Sequence, residues 1–229
     1  HLEAALHHSF AMQGARTPAY STIVGSGENG CILHYTENSA QIKDGDLVLV
    51  DAGCEYQGYA ADITRTFPAN GTFSKPQRDI YEWVLKAQEA VLTTLGPGST
   101  LGEAMQQSAE VITEGLVSLG LLGGTIAENL QQETWRQFYM HGVGHFLGLD
   151  VHDVGDYKID GQDRPLKPGM VLTIEPGIYI GSHLDVDEQY KGIGVRIEDN
   201  VVVTATGVDV LTVDVPKTVD AIEALMKGA

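Results

Sequence analysis

The chain has 229 residues, and its 31 acidic against 14 basic side chains give a formal charge of −17. That balance excludes phosphate-backbone binding, which depends on clustered Lys and Arg. No apolar run approaches the ~20 residues of a membrane helix, and the opening HLEAALHHSF has neither the basic nor the apolar stretch of a secretion signal.

Leu2, Ala5, Leu6 and Phe10 recur at helical spacing and predict a helix over 1–13, stopped by Gly14. Two β-type runs follow, 20–24 and 31–35, joined by GSGENG. DLVLVDAG and GYAADITRTF predict a hairpin that turns at 55–58. Ser74 is placed to cap a long helix with Pro76 in its first turn and Gly96-Pro97-Gly98 beyond its end. Further helices are predicted over about 100–119 and 125–139. MVLTIEPGIYI and GIGVRIEDNVVVTATG are strand-rich, and a short helix at 218–226 closes the chain. Strands, then helices, then strands predict a single α+β domain over 1–229, without repeats or linkers. The surplus acid either keeps a solvated surface soluble or lies partly inside, neutralised by bound cations. Cys31 and Cys54 form no CxxC pair and are expected to be inert thiols in a reducing compartment such as the cytoplasm.

Two motifs are decoys. Gly25-Ser26-Gly27-Glu28-Asn29-Gly30 fits GxGxxG, but that fingerprint needs a following helix to hold a pyrophosphate. CILHY follows instead, Glu28 would repel phosphate, and a hairpin turn is the expectation. His141-Gly142-Val143-Gly144-His145 has the zinc-protease spacing, yet Gly142 replaces the Glu that motif requires. Even so, His141, His145 and His152 fall within one Gly-rich, acid-containing stretch.

Asp51 and Asp62 carry the strongest local signal, because each interrupts an apolar or small-residue strand where Asp is disfavoured. A hairpin centred between Tyr56 and Gln57 would set them directly opposite, Cβ atoms ~5 Å apart. Such a pair shares a proton, clamps a cation, or lies exposed at strand ends. Glu175 after VLTI and Glu198 after GVRI repeat the pattern, with Tyr179 on the face of Glu175 and Arg196 on the face of Glu198. Four carboxylates exceed what one catalytic ion usually takes. Two ions bridged by shared carboxylates would absorb the charge and activate water for amide hydrolysis.

The ordered set Asp51, Asp62, His145, Glu175 and Glu198, in these settings, resembles the pita-bread metallopeptidases. Within that family STIVGSGENG, LHYTEN, DAGCEYQGYAADITRTFP, MHGVGHFLGLDVHDVG, VLTIEPGIYI and GIGVRIEDN are most similar to bacterial Xaa-Pro aminopeptidases. The resemblance implies a curved antiparallel sheet with helices on its outer face and two divalent ions, with Mn2+ suited to the oxygen-rich set. It also implies peptide substrates with proline second, and a homo-oligomer (dimer or tetramer) in the intact protein. Asp51 would hold one ion, His145 and Glu175 the other, and Asp62 and Glu198 both. Glu175 would also serve as general base. His34 and His152 would contact the scissile carbonyl and its oxyanion, and His141 would line the pocket. Arg196 and Tyr179 would link to Asp51. A further N-terminal domain and a helix are expected to precede residue 1. An Xaa-Pro dipeptidase, or a pita-bread peptide-binding module without chemistry, are the alternatives.

Overall fold

The computed structural model describes residues 1–228. Helix α1 (Leu2–Met12) leads through the short β1 (Thr17–Pro18) into β2 (Ile23–Ser26). The run 31–35, expected as a strand, is not one: Gly27–Cys31 wind into a 3-10 turn, and β2 pairs only with the next strand, β3 (Leu47–Asp51). The outer edge of β2 is satisfied by a side chain instead. Val24 N–H donates to Asn38 Oδ1 at 2.9 Å, and Asn38 Nδ2 donates to the Thr22 carbonyl at 2.9 Å.

After β3 come β4 (Cys54–Tyr56), β5 (Tyr59–Ala60) and β6 (Thr64–Pro68), all in one antiparallel register. That register differs from the one expected. Asp51 pairs with Thr64 rather than with Asp62, because the turn is centred between Gln57 and Gly58. Both take positive φ (52° and 89°), which Gly58 adopts without strain. Moving the turn centre by one residue moves every partner by two, so face parity survives and Asp62 stays on the face of Asp51 as a diagonal neighbour.

Helices α2 (Lys75–Thr94) and α3 (Leu101–Ser118) pack on each other. Each begins at a reciprocal cap. Gln77 Oε1 accepts from Ser74 N–H, and Thr100 and Glu103 exchange bonds of 2.9 and 3.1 Å. The expected helix over 125–139 is shorter: α4 (Ile126–Gln131) ends before Glu133, whose φ of 51° breaks the helix, and a 3-10 turn follows.

The hairpin of β7 (Lys158–Ile159) and β8 (Gln162–Asp163) precedes β9 (Val171–Ile174), β10 (Gly177–Ile180), β11 (Ile193–Arg196), β12 (Asp199–Val203) and β13 (Val208–Val210). Helix α5 (Val219–Gly228) ends the described chain. β9 pairs with β12, and β10 with β11, in a register that is the same on both sides of a break. Glu175 and Glu198 fall in that break and stand opposite each other. α2 lies across these strands and buries Ile80, Tyr81, Val84, Ala87 and Val91 against them, fixing the sheet from outside. Among the described residues, no helix is long and apolar enough to cross a membrane.

Candidate metal centre

A cavity of about 770 Å³ opens on the face opposite α2 and collects all four strand carboxylates, together with His34, His141, His145 and His152. Donor atoms of Asp62, His145 and Glu198 lie within 4.8 Å of one another. His145 Nε2 is 3.5 Å from both Asp62 Oδ2 and Glu175 Oε1. Tyr179 is buried just behind, where its hydroxyl reaches the wall residue His141.

Each carboxylate is at a strand end or in a gap between strands, where the ladder no longer dictates the backbone. Side chains replace it. Asn200 exchanges hydrogen bonds with the Asp62 peptide, its Oδ1 accepting at 3.2 Å and its Nδ2 donating to the Asp62 carbonyl. Thr64 Oγ1 donates to Glu198 Oε2 at 2.6 Å, and Thr173 Oγ1 donates to Glu175 Oε1 at 3.2 Å. Thr173 Oγ1 also accepts from His145 N–H at 3.0 Å. Gly144 is required there, because a Cβ would sit 1.9 Å from the Thr173 carbonyl oxygen.

The tautomers follow from the partners. In its neutral form, with Nδ1–H donating to the Phe146 carbonyl (3.0 Å), His145 turns the Nε2 lone pair toward the carboxylates. His141 Nδ1 donates to the Gly142 carbonyl at 2.8 Å, while Nε2 accepts from the Tyr179 hydroxyl at 2.7 Å. Burial, and then Arg196, push His141 down to about 3, so it is neutral. The Tyr179 hydroxyl in turn accepts from Arg196 Nη1 at 2.9 Å, and Arg196 Nη2 donates to Asp51 Oδ2 at 2.7 Å. His152 meets His145 edge-on at a ring separation of 4.3 Å, and burial and then His145 lower its pKa.

The donor set fits a cation. Burial, and then the charges of Asp62, Glu175 and Asp51, push Glu198 well above the usual carboxylate range. Burial pushes Glu175 up to about 7, although Arg196 and His145 pull against it. Asp51 is also raised by burial, with Arg196 opposing. His145 rises because Asp62, the Phe146 carbonyl and Glu175 outweigh its burial. Charges that repel in a buried site are reconciled by divalent cations, which bind the deprotonated forms. If Glu175 is a ligand, metal uptake below pH 7 must displace its proton. Apparent affinity for a divalent ion is expected to rise about tenfold per pH unit for each proton displaced, most steeply below pH 7. Competition with a chromophoric chelator at pH 6 and 8 measures this, and a flat profile would remove Glu175 from the ligand set.

Sequence reasoning missed Tyr20. Its hydroxyl bridges the two aspartates, contacting Asp51 Oδ1 and, at 2.5 Å, Asp62 Oδ1. No local pattern marks it, since its partners are 31 and 42 residues away. Thr64 and Asn200 went unread for the same reason, and Thr173, although only two residues from Glu175, stood in a strand pattern as an ordinary β-type residue.

The chain matches the model of metallopeptidase family M24 over residues 1–205. It is 56% identical over 231 residues to the Xaa-Pro aminopeptidase of Escherichia coli K12, covering 100% of this chain and 52% of that protein. The mouse Xaa-Pro dipeptidase is 41% identical over 255 residues, covering 97% and 52%. The structure of Pseudomonas aeruginosa aminopeptidase PepP superposes with a TM-score of 0.98 at 56% identity, covering 100% of this chain and 52% of that one. The chain thus spans about half the length of these relatives. The pita-bread α+β fold and the converging acid-histidine set agree with these matches, and the chain belongs to metallopeptidase family M24.

Proposed function

We propose that the chain forms one catalytic domain of a dinuclear Xaa-Pro aminopeptidase, which releases the residue preceding proline from a peptide N-terminus. The observation that carries this reading is the convergence of Asp62, His145 and Glu198 donor atoms, flanked by Asp51 and Glu175, in one open cavity. Likeness to the E. coli enzyme across the whole chain supports the substrate class.

In this proposal Asp51 would hold one ion, His145 and Glu175 the other, and Asp62 and Glu198 would serve both. The bound pair, Mn2+ by the oxygen-rich donor set, would supply an activated water and polarise the scissile carbonyl. Glu175 accepts the proton of the attacking water and passes it to the departing proline nitrogen. Its carboxylate lines the open cavity 3.5 Å from His145 Nε2, which places it for both transfers. His34 and His152 donate to the carbonyl oxygen as it becomes an oxyanion. His141, neutral and fixed, lines the pocket, while Tyr179 and Arg196 orient Asp51. The proposal extends to a homo-oligomer in the intact protein and to the cytoplasm, where two unpaired cysteines are at home. Elemental analysis of Mn-saturated protein is expected to give close to two ions per chain. A ratio that never exceeds one would eliminate the dinuclear mechanism.

The second reading, an Xaa-Pro dipeptidase, is favoured by the 41% identity to the mouse protein. An aminopeptidase must leave room beyond proline, whereas a dipeptidase closes that side around the product carboxylate. We expect the intact protein to cleave Xaa-Pro-Yaa tripeptides faster than Xaa-Pro dipeptides, measured as kcat/KM. A dipeptide advantage of tenfold or more, about 1.4 kcal/mol of transition-state preference, would make it a dipeptidase.

A further inference from the structure

Behind the carboxylate set, on the side away from the cavity, lies a buried ionic cluster that the chemistry does not use. Adjacent residues of a strand point to opposite faces. Thr64 and Glu198 therefore meet toward the cavity, and Arg65 and Asp199 meet behind, at 2.7 Å. Every N–H of the Arg65 guanidinium has an acceptor. Nε reaches the Pro216 carbonyl (3.0 Å), Nη1 the Thr64 and Glu198 carbonyls (2.9 and 2.6 Å), and Nη2 Asp199 Oδ1 and the Val215 carbonyl (2.7 and 2.9 Å). Asp199 is equally saturated: Thr212 Oγ1 also donates to Oδ1, while Lys217 Nζ and Gln88 Nε2 donate to Oδ2, at 2.7, 2.7 and 3.1 Å.

Glu198 lies between β11 and β12, and its own backbone bonds go to Thr64 and Arg65. Its N–H donates to the Thr64 carbonyl at 3.1 Å, and its carbonyl accepts from Arg65. With the Thr64 hydroxyl on its carboxylate, Glu198 is held at three points by the Thr64-Arg65 dipeptide. That grip opposes the repulsion from Asp62 and Glu175, which would otherwise drive the Glu198 side chain and its backbone apart from them. We propose that Arg65 and Asp199, strapped from behind by residues 212–217, are positioning residues that set Glu198 for metal binding. This rests on the metal reading above.

The test is Mn2+ affinity, read on the folded intact protein from the EPR signal of free Mn2+, beside the melting temperature of the metal-free form. Arg65→Lys keeps the charge but loses the fork. It is expected to weaken Mn2+ binding by ~10–100-fold, the usual effect of losing a partner that orients a ligand. Asp199→Asn is expected to do the same. A purely structural role would lower the melting temperature of the metal-free form and leave affinity within about twofold of wild type, and that result overturns the inference. Should neither variant fold, Lys217→Met carries the test, since that side chain is 23% exposed and its loss removes one donor from Asp199 Oδ2 and one from Gln88 Oε1, leaving Arg65, Thr212 and Gln88 on Asp199. About tenfold weaker binding is then expected, and unchanged affinity again overturns the inference. Wild-type protein that binds no Mn2+ would defeat the metal reading itself, and this inference with it. Normal wild-type binding matched by the variants defeats the inference alone.

Discussion

Asp62→Asn will lower kcat/KM on the order of 10³-fold, the largest loss expected of any single conservative change in the site. Asp62 is 5% exposed, and its oxygens lie among His145, Tyr20 and Glu198. The amide removes a negative charge and turns an NH2 group toward donors that require an acceptor. Its backbone is gripped by Asn200, so the substitution leaves the chain path intact. If Asp62 holds both ions, losing it forfeits several kcal/mol of transition-state charge stabilisation, and ~4 kcal/mol corresponds to about 10³-fold. Arg196→Lys is the internal comparison. Its guanidinium contacts Asp51, Tyr179 and Thr64, so lysine keeps the charge but loses the fork, and ~10–100-fold is expected. The check is kcat/KM with Mn content for both variants. Near-normal turnover by Asp62→Asn with both ions retained would refute its bridging role.

The second large effect is His152→Ala, expected to lower kcat by ~10²–10³-fold with metal content unchanged. His152 lines the cavity beside His145, where burial and that neighbour lower its pKa, and a ring N–H of His152 can donate to a developing oxyanion. A donor that acts only as charge develops alters kcat more than KM. Loss of metal in parallel with activity would place His152 in the ligand shell instead. Normal metal and normal kcat would return the oxyanion role to His34 alone.

How far the sequence reached is seen at the carboxylates. Asp51, Asp62, Glu175 and Glu198 stood out because acidic residues break strand patterns that are otherwise apolar, and such a break is visible in a single chain. Alternation along the strands also placed Arg196 and Tyr179 on the correct faces, since the period of two is imposed by the pleat. The helix cap at Ser74 was equally local. Register was not: the turn at Gln57-Gly58 was placed one residue early, and only the two-residue step of antiparallel partners kept Asp62 on the face of Asp51. The run 31–35 read as a strand because its composition is β-like, but the Asn38 side chain had already taken the edge of β2.

Composition and spacing thus singled out four carboxylates and the cluster of His141, His145 and His152, because those are properties of neighbours in the chain, while His34 and the roles rest on the family resemblance. Tertiary structure alone decided what holds them. Tyr20 on the two aspartates, Asn200 on Asp62, and Arg65 with Asp199 behind Glu198 all act across 31 to 138 residues. At the carboxylates such bonds form where strands end and the ladder stops satisfying the backbone. No local pattern records which distant residue will fill the gap.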